Sequence, residues 1–197
     1  MFAHRISSLA LVALLATTPL TAQQSTSRAV IVSGHGGGFS ALENLDTPGT
    51  RDFKTGYSVG GGVGVQLSRY VVLRSDFTYA RDEFRLNGTR TGEHLKKYFY
   101  GGAVQLQYPF AGGFTPYLLA GGGAVTLKPI NNGSRTKGQG TFGAGFSYAI
   151  PGSAVSLFSE GLGYAYKPDG IGGSLAGVTK TQFDLAWTGG LSYRIHL

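Results

Sequence analysis

Apolar and polar positions alternate with a period of two along most of this chain. Between Thr181 and Leu197 one face carries Phe183, Leu185, Trp187, Leu191, Tyr193, Ile195 and Leu197, and the other carries Gln182, Asp184, Thr188, Ser192, Arg194 and His196. Successive side chains of a strand point to opposite sides, so this segment has one apolar face and one polar or small face. The same split recurs over Tyr57–Leu67, Val71–Ala80, Tyr98–Tyr108 and Phe142–Ile150. Three further segments, Arg28–Ser40, Thr115–Lys128 and Val155–Lys167, read as strands whose phase the pattern leaves open. That makes eight strands.

The connections set the topology. Short turns are expected at Ser68–Tyr70, Pro109–Gly113 and Pro151–Ser153, and long polar loops at Ala41–Lys54, Leu86–Leu95, Pro129–Gly138 and Pro168–Thr179. Long and short connections therefore alternate, as an antiparallel up-and-down barrel requires when its two ends face different surroundings. Two such barrels are possible. A soluble one buries its apolar face and shows the polar face to water. A transmembrane one does the reverse. The polar face here is mostly Gly, Ala, Ser and Gln with few charges, which suits a narrow interior better than a wetted exterior. Aromatic residues agree with the membrane reading. Tyr57, Tyr79, Phe84, Tyr98, Tyr164, Tyr166 and Phe183 are placed near the long-loop ends, and Tyr70, Tyr108, Phe110, Phe114, Tyr117, Tyr148 and Tyr193 near the short-turn ends. Rings at both edges of an apolar band favour two membrane interfaces. The expected fold class is thus all-β, an eight-stranded antiparallel up-and-down transmembrane β-barrel.

The N-terminus changes the domain division. Arg5 precedes an apolar run from Ile6 to Ala16, and small residues lead to Ala22. This is the layout of a cleaved secretory signal peptide over residues 1–22, and its apolar run is too short to span a bilayer as a helix. The barrel domain is then residues 23–197. The chain has no cysteine, so it has neither a disulfide framework nor thiol chemistry. Its 33 glycines fall mostly inside the apolar segments, where small barrels use them at bends and at crowded contacts.

Three stretches carry a resemblance to a known family. They are the glycine-rich Val32–Phe39, Thr115–Gly123, and the C-terminal Gly189–Leu197. Together they resemble the small outer-membrane β-barrel proteins similar to OmpA and OmpX. The resemblance implies a location in a bacterial outer membrane. It also implies assembly by the barrel-assembly machinery, which would read Leu191, Tyr193, Ile195 and Leu197. Members of that family usually end in Phe, whereas this chain ends in Leu197. The resemblance speaks to architecture and is nearly silent on function.

Charge supplies the candidate chemistry. The formal net charge is +7, and export makes nucleic acid the poorest partner for it. By alternation Arg74, Asp76, Asp184 and Arg194 point inward, with Glu160 assigned the same way, since a charge facing lipid costs about 2–4 kcal/mol for Arg or Lys. A lumenal ion-pair network is expected from them, either as a gate or as a plug that fixes register; eight strands leave an interior just wide enough for side chains, which favours the plug. Arg81, Arg85, Lys96, Lys97, Lys128, Lys167 and Lys180, with Lys54, Arg90, Arg135 and Lys137, form a basic outer rim suited to phosphate-rich lipopolysaccharide. No cofactor, metal site or enzymatic activity is expected. His94 falls in a loop and His196 near the opposite rim, no His–Ser–acid set including His35 converges, and Gly138, Gly140 and Gly143 match GxGxxG without a βαβ unit around them. The expected function is a structural or surface-interaction barrel, monomeric, in contact with lipid and lipopolysaccharide. A narrow porin-like channel and a lipid A-modifying enzyme are the alternatives.

Overall fold

Eight strands close on themselves in chain order. The computed structural model describes residues 28–42, 51–86, 89–129, 133–168 and 181–197. The strands are β1 (Ala29–Ala41), β2 (Arg51–Gln66), β3 (Val71–Leu86), β4 (Thr89–Gln107), β5 (Phe114–Pro129), β6 (Arg135–Ala149), β7 (Val155–Tyr166) and β8 (Gln182–His196). Each neighbouring pair is antiparallel. Closure comes from β1 against β8, in register from Ala29 opposite His196 to Ala41 opposite Asp184. Full closure leaves no unpaired strand edge, the condition for β-structure to cross a bilayer. The signal-peptide assignment over residues 1–22 and most of two expected loops lie outside the described residues.

The three short connections sit at one end together with both chain ends of the barrel. Ser68 Oγ accepts hydrogen bonds from the amides of Tyr70 and Val71 and so closes the β2–β3 turn. Gly112 and Gly113 in the β4–β5 turn, and Gly152 in the β6–β7 turn, have φ of 84°, 85° and 72°, values that side chains with a Cβ adopt at a cost.

At the other end the strands run further than the polarity of the sequence suggests. The segment Leu86–Leu95, expected as a loop, is mostly a ribbon: Arg85 pairs with Arg90 and Leu86 with Thr89. Likewise β2 begins at Arg51 and β6 at Arg135, inside segments expected as loops. A ribbon that extends beyond the apolar band needs no continuous apolar face, so period-two alternation fades from its sequence.

The exterior is apolar and the interior polar or aromatic. Val59, Val63, Phe77, Val104, Leu118, Phe142, Trp187 and Leu191 all lie on the outer face with at least two-fifths of their surface exposed. Inside, Thr78, Lys97, Phe99, Val125, Glu160 and Asp184 are nearly inaccessible. This inversion identifies the membrane-type barrel over the soluble one. The open phases resolve as well. In β5, Tyr117, Leu119, Val125 and Leu127 point inward, and in β7 Phe158, Glu160, Leu162, Tyr164 and Tyr166 do. Tyr117, Tyr164 and Tyr166 are therefore lumenal, not members of the interfacial belts expected for them.

The inward turn of the large β7 residues has a physical cause. The outer face of β7 carries Gly161 and Gly163, and aromatic rings from the neighbouring strands fold over both. A Cβ on Gly163 would lie 2.4 Å from the Phe142 ring, and one on Gly161 would meet Trp187 at 3.2 Å. The neighbours supply the apolar surface, so β7 can turn its large residues inward. Crowding of a different kind holds β4 to β5, where a Cβ on Gly123 would fall 2.1 Å from the Tyr100 carbonyl oxygen.

Candidate functional site

The lumenal ion-pair network expected of Arg74, Asp76, Glu160, Asp184 and Arg194 takes the form of two ion clusters. The first lies toward the long-loop end. Lys97 Nζ sits 2.7 Å from Asp82 Oδ2 and 2.8 Å from Asp184 Oδ2, and all three side chains have no solvent exposure. Tyr166 donates its hydroxyl to the same Asp184 oxygen at 2.8 Å. The ammonium also lies 5.0 Å from the centre of the Phe39 ring, within cation–π range. Lys97 was expected on the basic rim, and its placement here corrects that assignment. It shares the phase of Phe99, Gln105 and Gln107, and so faces inward.

The second cluster lies toward the short-turn end. Arg74 donates to Asp76 at 2.9 Å and to Glu160 at 2.8 Å. It also reaches the Gln105 side-chain oxygen at 3.2 Å. Tyr117 donates to Glu160 at 2.9 Å, so this fully buried carboxylate has two charge-assisted or hydroxyl partners. Arg194, expected in the same network, makes no ion pair among the described residues. It lines a cavity of about 70 Å³ with Arg74, Gln107, Ser147, Ser156 and Ser192.

Between the clusters the lumen is closed by rings. Phe99 stacks on Tyr164 with centroids 4.1 Å apart, and Phe39 packs against Phe99 at 5.7 Å. Val125, Ala80 and Ala186 complete the layer. Beneath it His35 Nε2 lies 3.2 Å from the Thr78 hydroxyl. The interior of the described barrel is thus a filled core with charge above and below an aromatic partition.

The exterior carries a second arrangement. Tyr57 and Tyr79 stand 6.2 Å apart, and Tyr79 and Tyr98 5.3 Å apart, as a belt across β2, β3 and β4. The belt continues as hydroxyls: Tyr100 to Thr126 at 3.3 Å and Thr126 to Thr136 at 2.8 Å. One step toward the long-loop end, Arg81 is paired across strands with Lys96, and Lys96 with Lys128. Strand spacing is about 4.8 Å, so these three outward-facing cations form a row roughly 10 Å long. Lys167 is exposed just beyond β7. Lys180, also expected on the rim, lies outside the described residues, as do the side chains of Arg85, Lys54 and Arg90.

At the short-turn end a second aromatic belt runs through Tyr70, Tyr108, Phe110, Phe114 and Phe146, each ring within 6.3 Å of the next. Two belts of rings now bound one apolar wall. The chain has the fold of the small outer-membrane β-barrels. No protein-family model and no curated protein matches the sequence. Among solved structures, the barrel is similar to Neisserial surface protein A, with a TM-score of 0.56 and 17% identity over 85% of this chain and 97% of that one. It is similar to the outer-membrane protein OprG of Pseudomonas aeruginosa, with a TM-score of 0.56 and 12% identity over 87% and 97%. It is also similar to Ail of Yersinia pestis, crystallised with the heparin analogue sucrose octasulfate, with a TM-score of 0.53 and 14% identity over 85% and 98%. At these identities the likeness is one of fold. Leu191, Tyr193, Ile195 and Leu197 all stand exposed on the outer face of β8 and its end.

Proposed function

We propose that this barrel resides in a bacterial outer membrane as an exported, monomeric surface-interaction protein, and that its outer rim binds the phosphorylated saccharide headgroup of lipopolysaccharide. One observation carries the reading. The row Arg81–Lys96–Lys128 stands directly above the Tyr57–Tyr79–Tyr98 belt, where an aromatic belt marks the boundary between acyl chains and headgroups. Cations at that height meet the phosphates of the outer leaflet, and Arg gives them a planar, bidentate donor. The Thr126 and Thr136 hydroxyls beside the row suit the sugar of the same headgroup. Ail, of the same fold, was crystallised with a polyanionic sugar derivative, so a sulfated saccharide is the chemistry nearest to this ligand. In biogenesis, the outward stripe Leu191–Leu197 would engage the barrel-assembly machinery.

The porin-like reading has no comparable support. Phe39, Phe99 and Tyr164 close the lumen at mid-height, and an ion cluster fills it on either side.

Binding of lipopolysaccharide and of heparin to the detergent-solubilised protein tests the proposal. Each cation near an anionic surface contributes about 1 kcal/mol, so the variant Arg81→Ala/Lys96→Ala/Lys128→Ala is expected to bind lipopolysaccharide about 100-fold more weakly. The wild-type affinity should also fall as salt is raised. Equal affinity of variant and wild type for lipopolysaccharide would overturn the proposal. Loss of heparin binding alone would move the ligand from the membrane's own lipid to a foreign sulfated surface.

A further inference from the structure

The outer wall is not evenly convex. Where β5, β6 and β7 meet the middle of the apolar band, a groove of about 940 Å³ opens, with Ala120 and Ala144 on its floor and Leu118, Phe142, Phe146 and Trp187 as its walls. Its polar surface is slight and it faces the bilayer. The register shows where it leads. Along β5 the outward residues above Ala120 are Gly122, Ala124, Thr126 and Lys128, and across on β6 they meet Gly140, Gly138 and Thr136. On β5 and β6 no side chain longer than a methyl stands between the groove and the Thr126–Thr136 pair, and the outward ring of Tyr100 on β4, whose hydroxyl reaches Thr126, walls this strip on one side. The groove therefore continues as a shallow trough that ends beneath the cation row.

We propose that this groove and trough hold an acyl chain of the phosphorylated lipid whose headgroup sits on Arg81, Lys96 and Lys128. The inference rests on the headgroup reading above and extends it to a second subsite. The dimensions agree. Lys128 and Ala120 are eight residues apart, about 26 Å along a strand at ~3.3 Å per residue. Strands of such barrels tilt by about 40°, so the depth from the row to the groove is about 20 Å. Half of a ~30 Å hydrocarbon core is about 15 Å, and the row stands in the headgroup layer above it. The groove thus lies near the bilayer centre, where the chain of a lipid anchored at the row would end.

Charge complementarity selects this occupant. Surrounding lipid is as apolar as the groove, so the groove alone offers no hydrophobic preference for one chain over another. A lipid whose phosphates are held at the row has its chain delivered to the trough. The preference then comes from the tether and from close packing on small residues, as dispersion contacts require. A second copy of the barrel seated on this wall would need no phosphate and would bury Trp187.

The test uses the full-length protein in phosphatidylcholine nanodiscs doped with lipid A carrying a nitroxide on one acyl chain. Methyl signals of Ala120, Ala124 and Ala144 are read against those of Val32 and Val63 on the opposite wall. The expected result is broadening at least about fivefold stronger on the alanines, lost in Arg81→Ala/Lys96→Ala/Lys128→Ala. In Ala120→Leu/Ala124→Leu the broadening at Ala144 should vanish, while affinity for deacylated, water-soluble lipopolysaccharide stays at the wild-type value. Equal broadening on both walls, with deacylated lipopolysaccharide still bound by the wild type, overturns the groove and leaves the headgroup site standing. Absence of binding by the deacylated form overturns both. Disulfide-linked dimers of an Ala144→Cys variant with even broadening on both walls would give the surface to a second copy and overturn the proposal.

Discussion

Replacing Lys97 with methionine is expected to cost the barrel about 3–5 kcal/mol of stability. The side chain has no exposure and stands between two equally buried carboxylates, Asp82 and Asp184, at 2.7 and 2.8 Å. Methionine matches its volume but leaves both carboxylates without a counter-charge in an interior that water does not reach. The loss therefore measures stranded charge and not lost packing. A variant that removes the whole group, Asp82→Leu/Lys97→Met/Asp184→Leu, should recover most of it, because a buried triad and well-packed apolar residues are often near-equal in energy. Urea unfolding in phospholipid vesicles, followed by Trp187 fluorescence, reads both. A Lys97→Met barrel within about 1 kcal/mol of wild type would show that the triad is wetter or looser than its geometry indicates.

The second large effect is expected at Phe99. Its ring stacks on Tyr164 at 4.1 Å and packs against Phe39 at 5.7 Å and Tyr166 at 6.1 Å. Phe99→Ala removes the centre of the partition and leaves a cavity bounded by the barrel wall, which cannot collapse around it. A buried Phe→Ala change costs about 3–5 kcal/mol, and the rigid surroundings place this one toward the upper end. The same variant probes conduction. Wild-type protein in planar bilayers is expected to show no stable open step, since the lumen is closed at this layer. A loss below about 1 kcal/mol, or a steady open step in the wild type, would mean that the rings do not form the partition described.

Much of this was legible in the chain itself, for reasons that also explain the misses. Alternation reads the outer face of β2, β3, β4 and β8 because those strands lie between lipid and lumen with most of their apolar residues on the lipid side. In β7 it left the phase open, and Tyr164 and Tyr166 were assigned by position along the chain instead. The outer surface there comes from Phe142 and Trp187 on adjacent strands, which no pattern within β7 can express. Lys97 was misplaced for a related reason. Its neighbour Lys96 and its distance from the apolar band suggested a rim, while its phase, shared with Phe99, pointed inward. Phase was the better guide, because a strand cannot turn two successive side chains to the same face. Its partner Asp82 carries the same signal, two residues from Ala80 and in phase with Asp76 and Thr78, but the clean alternation stops at Ala80. Arg74, Asp76 and Glu160 came out together because a lipid-facing charge is costly enough to settle their direction. Arg194 pointed inward as expected, but pairing depends on distances around the barrel that a linear pattern does not contain.

The cation row shows the same division. The sequence offered eleven basic residues near loops and no means of choosing among them. Cross-strand register singles out Arg81, Lys96 and Lys128 as neighbours on one face above the tyrosine belt. The site is a property of pairing, and pairing appears only in the folded barrel.

The apolar face of this barrel looks outward into lipid. Trp187 is the single tryptophan of the chain, and it stands on the outer wall with 65% of its surface exposed. Quenching of its fluorescence in phospholipid vesicles tests the claim directly. Lipids brominated along the acyl chain should quench it strongly, and most of all with bromine near the chain terminus, while aqueous iodide should leave it almost unchanged. Efficient quenching by iodide, with none from the brominated lipids, would contradict the account.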